Sequence, residues 1–397
     1  MKILLEDTIP FGKEYLSDLG DVKTYAWQSL AAQDIQDADV MAIRSTTQVN
    51  AHTMPANTRL QLVTTATAGT NHLDTAWLAS QNIRWNSAGG CNAVAVAEYV
   101  VSTLLLAEKK GRVDTSRCTV GIVGAGHVGT ALANKLDALG INYKLCDPPL
   151  EQTNDSRRFY PLAEILRCDV ITLHVPYVKT GPYATGKLID SDALACLNAS
   201  QLLINACRGE VIDEQALISR LQSSNAPVVV LDVFNNEPAI NPALFNLCWM
   251  VTPHIAGHSV EGKVRGTQIV YEQLCQLVNK PIKKQLSDFL APPPPLSIAL
   301  TCPTEKALSA KDLAKVMLPV YDVSEDDAAM RQAMADAIEN APKDNDALSK
   351  AIANTFSRLR KQYRIRRECS AYALQLQSDT SIEIRQQLSA LGFSVTN

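Results

Sequence analysis

Four short segments carry residue types that could move a hydride and a proton. The first is Gly124-Ala-Gly126-His127-Val128-Gly129, which follows the β-branched run Thr119–Val123 and opens a helical pattern through Leu132, Leu136 and Leu139. Strand, glycine turn and helix together are the context in which G-x-G-x-x-G binds a dinucleotide. Gly124 permits the turn, Gly126 lets the backbone approach a pyrophosphate, and Gly129 lets helix and strand pack closely. A second strand, Asn142–Cys146, ends at Asp147. That acid lies about 20 residues past the glycines, where a carboxylate bonds ribose hydroxyls and repels a 2′-phosphate, so the cofactor read is NAD. The other three segments are Asn205-Ala206-Cys207-Arg208-Gly209, Asp232-Val-Phe-Asn-Asn-Glu237-Pro238 and Thr252-Pro253-His254-Ile-Ala-Gly257-His258. An Arg directly after a strand can grip a carboxylate with two prongs. A His with a carboxylate partner is an acid/base pair, because the carboxylate fixes the tautomer and favours the charged ring. Each residue alone also fits a structural role: Arg208 as a turn cap, His254 as a satisfied imidazole. His258 has the same claim as His254, without an assigned acid. Together, Arg208, Glu237 and His254 supply a substrate clamp and a proton acceptor in a chain that binds NAD.

These segments must be positioned by parallel sheets. Candidate strands at Lys2–Leu5, Val22–Tyr25, Val40–Arg44, Leu62–Ala66 and Ile83–Asn86 alternate with helical stretches, which argues for a parallel α/β sheet. Polar residues stand where these strands should end, at Arg44-Ser45-Thr46 and Thr67-Ala-Gly-Thr70, and ligands bind beyond the carboxyl ends of such strands. The first half is therefore a candidate substrate domain. The run Ala93–Ala107 is apolar nearly all round and carries Glu98, which reads as a buried helix. Strands at Val170–His174, Gln201–Asn205, Val228–Leu231 and Trp249–Thr252 continue the dinucleotide fold as a doubly wound sheet. An amphipathic helix, about Ser259–Asn279, could return to the first half. Ala291-Pro-Pro-Pro-Pro295 reads as a stiff linker to a small tail with strands at Leu296–Thr301 and Ala371–Gln377. Within the tail, Arg358–Arg367 is basic and reads as a solvated helix face.

Bulk properties narrow the class. The chain has 397 residues, 46% hydrophobic and 20% charged, with a net charge of −4, which points away from nucleic acid and anionic membranes. It enters a strand at Met1-Lys-Ile-Leu-Leu, and no apolar run is long enough to span a bilayer. Ten scattered cysteines without a C-x-x-C pair read as reduced thiols in a cytoplasm, with no metal site expected.

The same segments resemble the D-2-hydroxyacid dehydrogenase family, from Met1 to about residue 290 and more loosely through the tail. The motifs are Arg44-Ser45, Thr65-Ala-Thr67-Ala-Gly69-Thr-Asn-His-Leu-Asp74, Gly90-Cys-Asn-Ala, Cys146-Asp-Pro-Pro149, Thr180-Gly-Pro-Tyr183, Ile204-Asn-Ala-Cys-Arg208-Gly, and Thr252-Pro-His-Ile-Ala-Gly257 with Glu261-Gly-Lys263. The Cys-Asp-Pro-Pro and Gly-Pro-Tyr segments mark one branch of that family. The resemblance implies a flavodoxin-like substrate domain over 1–92 and 260–285, a Rossmann NAD domain over 93–259, and a small α+β dimerisation domain over 286–397. It implies that Arg208 binds substrate, that His254 is the acid/base and that Glu237 supports it. NAD contacts are expected at Gly124, Gly126, His127, Val128, Gly129, Asp147, Val175, Ala206, Asp232 and Gly257. Substrate contacts are expected at Ser45, Thr67 and His258, with Arg44 and Ser45 receiving a phosphate. The sequence departs from the branch at His258, usually Tyr, and at His127, often Asn. A phosphorylated hydroxyacid substrate and a homodimer follow as expectations. The rivals are another D-2-hydroxyacid and a non-catalytic NAD-sensing role.

Overall fold

The computed structural model describes residues 1–397 except Pro293, Lys343 and Asn397. Of the expected proline linker, Pro293 thus lies outside the described residues. The chain forms two compact units: residues 1–93 with 258–292, and residues 94–257 with 293–397.

The first unit is built on five strands: β1 (Lys2–Glu6), β2 (Asp21–Tyr25), β3 (Val40–Ile43), β4 (Leu62–Thr65) and β5 (Arg84–Ser87). They pair in parallel in the order β2-β1-β3-β4-β5, the flavodoxin-like order. The central strands are buried along their whole length, which is why they read as unbroken apolar runs. The helix Val260–Leu277 closes one face of this sheet. A Cβ on Gly266 would lie 2.4 Å from the Ala66 carbonyl, so glycine is what lets the helix approach. Gln273 fastens the contact, bonding the Thr64 hydroxyl at 2.8 Å and donating to the Ser87 carbonyl at 2.9 Å.

The second unit carries β6 (Thr119–Val123), β7 (Asn142–Cys146), β8 (Val170–Leu173), β9 (Leu202–Asn205), β10 (Val228–Leu231) and β11 (Met250–Val251). All are parallel, in the order β11-β10-β9-β8-β6-β7. A single parallel bridge, Leu145 to Phe159, extends the sheet past β7. The order reverses between β6 and β8, and the glycine loop sits at that switch point.

The tail belongs to this same unit. Its strands β12 (Pro295–Ser297), β13 (Ala373–Gln375) and β14 (Ser394–Thr396) form a parallel three-stranded sheet. Leu313, Val316, Tyr321, Leu374, Ile384 and Phe393 share one apolar cluster with Val100, Leu104, Val120 and Leu132 of the dinucleotide fold. The helix Ala93–Lys109 is apolar on nearly every side because the tail covers it as well as the sheet. Its buried carboxylate, Glu98, pairs with buried Lys135 at 3.1 Å and accepts the Cys369 N–H. Ser102 donates to the Tyr321 carbonyl at 2.9 Å and accepts from the Val323 N–H.

The basic stretch is a solvated face only in part: Arg358, Lys361 and Arg364 are exposed, but Arg366 is not. The helix Asn345–Lys361 stops before it is complete. Arg366 is 3% exposed, stacked 3.5 Å over the Tyr321 ring and donating to the Ala256 and Ala95 carbonyls. Arg364 pairs with Asp326 at 3.1 Å. Fixed carbonyls and an aromatic face draw the Arg366 guanidinium inward.

At the end of β1, buried Glu6 organises the loop after β3. Its carboxylate accepts from the Thr47 hydroxyl at 2.7 Å and the Arg44 N–H at 2.9 Å, and also from the Thr8 and Thr46 hydroxyls. Burial alone would raise its pKa, but these four donors outweigh burial and hold the carboxyl below its usual value. The resulting stabilisation is full above the unfolded-state pKa and is lost as pH falls through the lower folded one. Glu6→Gln should therefore destabilise the chain by about 1–3 kcal/mol at neutral pH. Denaturant melts should show the gap closing as the solution is acidified; a gap independent of pH would contradict the reading.

Candidate active site

The glycine loop has the geometry a pyrophosphate requires. Gly124 has φ 93°, and a Cβ there would lie 2.5 Å from the His174 carbonyl. A Cβ on Gly129 would lie 2.1 Å from the Gly124 carbonyl, so helix and turn pack backbone to backbone. Beside Gly126 the space is open. The helix His127–Leu139 begins there with no side chain capping it, which leaves its first N–H groups to an anion. His127 is exposed at this mouth and Val128 is half-buried.

Asp147 closes the far side of the loop. It accepts the Ala125 N–H at 2.8 Å through one oxygen and the Leu150 N–H at 3.1 Å through the other. Each oxygen keeps acceptor capacity for a ribose hydroxyl. Arg157, which sequence reading missed, donates to the Ala125 carbonyl and the Thr130 hydroxyl, both at 2.9 Å. Its charge is matched by Asp155, which pairs with it at 2.6 Å. The open cradle, the free helix end and the acid fit a non-phosphorylated dinucleotide. Val175 and Ala206, both half-buried, follow β8 and β9 at the same edge of the sheet. His174, beside Val175, bonds the Thr172 hydroxyl through Nε2, and burial pushes it down to about 3, so it stays neutral.

The three chemical segments follow β9, β10 and β11. Arg208 is extended (φ −146°, ψ 140°), and its carbonyl is held by the Asn205 amide at 2.9 Å. Gly209 packs against the next loop so closely that a Cβ would lie 2.1 Å from the Phe234 carbonyl carbon. That approach brings the arginine loop against the Phe234–Glu237 loop. Glu237 accepts the Phe234 N–H at 2.9 Å through Oε1, and its Oε2 lies 2.7 Å from His254 Nδ1. Burial would raise the Glu237 pKa. The His254 hydrogen bond and charge, the Phe234 N–H and the Arg360 charge together outweigh burial and hold the carboxyl below its usual value. With Nδ1–H donated to a carboxylate, Nε2 of the neutral ring carries the lone pair and can take a proton.

Asp232 was expected against the cofactor. The structure buries it, 1% exposed, beneath the histidine loop. Its oxygens accept from the Thr252 hydroxyl at 2.6 Å and the N–H groups of Ile255 and Ala256 at 2.8 and 2.9 Å. The Asp232 carbonyl receives the His254 N–H at 2.8 Å, and His254 itself sits at φ 57°. Gly257 ends this segment, half-buried.

The remaining expected residues lie in the first unit. Arg44 directs its guanidinium at the Thr8 carbonyl (3.2 Å), and Ser45 is exposed beside it. The Thr67 hydroxyl bonds that of Thr65 at 2.8 Å, which in turn meets His72 Nε2 at 3.1 Å. Burial pushes His72 down to about 4, so this network is neutral. Half-buried His258 stands just before the Ser259 cap of the helix Val260–Leu277. Sequence reading quoted Lys263 within a motif but gave it no role. Burial first, and then the charge of Arg44, hold its ammonium below the usual value. Arg44 is likewise lowered by burial. Among the described residues no ion pair joins a carboxylate to either side chain. Glu6 lies close enough to Arg44 to oppose that lowering, and the charge of Arg44 reaches Lys263.

Comparison with known proteins agrees with this geometry. Residues 101–256 match the family model "D-isomer specific 2-hydroxyacid dehydrogenase, NAD binding domain", and residues 292–392 match a domain of unknown function (DUF3410). Among solved structures, a D-lactate dehydrogenase from Aquifex aeolicus complexed with NAD and lactic acid is similar in fold, with a TM-score of 0.57 and 22% identity, covering 70% of this chain and 95% of that one. A 3-phosphoglycerate dehydrogenase of Entamoeba histolytica with bound NAD+ gives 0.59 and 22%, covering 70% and 95%. Curated relatives extend over the whole length. An erythronate-4-phosphate dehydrogenase of Marinobacter nauticus is 42% identical over 100% of both chains. One from Pseudoalteromonas atlantica is 43% identical over 99% of this chain and 100% of its own, and one from Proteus mirabilis is 40% identical over 100% of both. The chain belongs to the erythronate-4-phosphate dehydrogenases, within the D-isomer specific 2-hydroxyacid dehydrogenase family.

Proposed function

We propose that this chain oxidises the C2 hydroxyl of 4-phospho-D-erythronate, with NAD, to 3-hydroxy-2-oxo-4-phosphooxybutanoate, and that Arg208, Glu237 and His254 carry the reaction. The observation that carries this reading is the His254 Nδ1–Glu237 Oε2 contact of 2.7 Å, made beside an arginine loop on a dinucleotide-binding sheet. When bound, NAD supplies the hydride acceptor. Arg208 holds the substrate carboxylate and so orients C2. Nε2 of His254 accepts the hydroxyl proton as the C2–H bond breaks and the carbonyl forms. Glu237, held ionised, balances the imidazolium that results. Gly124, Gly126, His127, Val128, Gly129, Asp147, Val175, Ala206 and Gly257 line the cofactor's path, with Asp232 shaping the loop beneath it.

The phosphate belongs, in this reading, to Arg44, Ser45 and Lys263, with Thr67 and His258 contributing further contacts. What supports it is that Arg44 and Lys263 are both held below their usual values by burial, and that the charge of Arg44 lowers Lys263 further. The domain assignment follows: residues 1–92 and 260–285 for substrate, 93–259 for NAD, and 286–397 for dimerisation. Exposed Ile338, Ile365 and Ile382 on the tail are apolar surface that a second copy would cover. Light scattering on the full chain should report a dimer, and a monomer would remove that role. No helix of the described residues is long and apolar enough to cross a membrane, and all ten cysteines are free, which supports a cytoplasmic site. The reaction places the chain in pyridoxal 5′-phosphate synthesis, so its loss should create a requirement for added pyridoxine.

Two substitutions test the assignment. His254→Asn should lower turnover on the order of 100- to 10,000-fold while leaving NAD affinity, read by calorimetry, unchanged. Near-normal turnover would sink the role. Lys263→Ala should raise KM for the phosphorylated acid about 10-fold or more and leave KM for an unphosphorylated 2-hydroxyacid where it was. Equal effects on both acids would place the phosphate elsewhere.

A further inference from the structure

Residues 293–397 reach the acid/base loops from behind, within one chain. From the helix Val323–Glu339, Asp327 accepts the Val251 N–H at 2.8 Å, and Arg331 donates to the Cys248 and Trp249 carbonyls at 3.0 and 3.1 Å. These contacts brace β11, the edge strand that ends just before His254. Arg366 braces the loop after it through the Ala256 carbonyl at 2.9 Å. The helix Asn345–Lys361 covers the glutamate loop. Its Phe356, fully buried, meets Phe234 edge-on, with ring centroids 6.0 Å apart and planes at 87°. Phe234 in turn donates its N–H to Glu237. Arg360 stands one helical turn beyond Phe356, on the same face. Its Nε is buried without a hydrogen-bond partner.

We propose that Arg360 is a positioning residue for the Glu237–His254 pair, and that the tail serves the reaction in its own chain through this side chain. The inference rests on the roles proposed above for Glu237 and His254. The charged groups acting on the pair are Arg360 from the tail helix and Asp232 beneath His254; Glu214 lies beside the same loop, accepting the Asn235 N–H at 3.2 Å. Arg360 is the cation that this set contributes from outside the pair. It favours a charged Glu237 at the moment the imidazole takes the substrate proton, which keeps that proton on the ring rather than passing it to the carboxylate. Phe356 fixes where that charge stands.

The test separates charge from packing. Arg360→Lys keeps the cation, Arg360→Gln removes it, and Arg360→Met removes it while keeping an apolar stem should the glutamine variant not fold. The readout is the acid limb of kcat/KM for the hydroxyacid, with thermal melting as the measure of folding. Loss of the cation raises the proton affinity of both members of the pair, which titrate as a unit, so the limb should move to higher pH by several tenths of a unit. The limb of Arg360→Lys should stay with that of the unsubstituted chain, and KM for NAD should not change in any variant. Coincident limbs in all variants, with activity following thermal stability, would overturn the proposal and leave Arg360 a packing residue. His254→Asn measured in parallel distinguishes the two failures. Full activity in that variant would remove the acid/base assignment itself, whereas an inactive His254→Asn with coincident limbs would remove only the role of Arg360.

Discussion

The loop of His254 depends on a buried carboxylate. Asp232, at the end of β10, is buried beneath the histidine loop and accepts the Thr252 hydroxyl and the Ile255 and Ala256 N–H groups. Burial pushes its carboxyl up, and the charge of His254 together with these donors opposes that rise. Bonds to both sides of position 254 hold His254 in the left-handed region, a conformation that costs energy unless its surroundings over-determine it. Held there, its Nδ1 lies 2.7 Å from Glu237. Tyr99 supports the arrangement from the buried helix, meeting the Thr252 hydroxyl at 2.9 Å.

The first unit uses the same device. Glu6 ends β1 and binds the loop after β3 as Asp232 ends β10 and binds the loop after β11. In each case a buried acid at a strand end gathers hydroxyl and N–H donors from a neighbouring loop: the loop of Arg44 in one, the loop of His254 in the other. Parallel sheets make this possible, because their strand ends and following loops converge on one edge. The carboxylates make it precise enough for chemistry, since rigid elements locate a side chain only as well as their loops are fixed.

Much of this frame was legible in the chain itself. The apolar runs before Gly124, Arg208 and His254 announce buried parallel strands, and the apolar period of residues 260–277 announces the returning helix. The third tail strand, Ser394–Thr396, was not legible, because three residues at a chain end carry no period. Nor were Arg157, Lys263 and Arg360. Each acts on a loop distant in sequence, and a cation in a helix or loop looks solvated until the fold shows what it faces. Arg366 of the basic stretch was misread for that reason: its partners are backbone carbonyls and a tyrosine ring that no local pattern reveals. Asp232 could be recognised as important from its place after a strand, but whether it faces ligand or core is decided by packing.

The central claim is that the chain is selective for a phosphorylated four-carbon 2-hydroxyacid. The most direct measurement offers the purified full chain, with NAD, 4-phospho-D-erythronate, D-3-phosphoglycerate and D-lactate separately, with and without a 2-oxoacid to reoxidise the cofactor. The account predicts a kcat/KM for 4-phospho-D-erythronate well above that for either other acid. Equal or greater turnover of D-3-phosphoglycerate or D-lactate would contradict it.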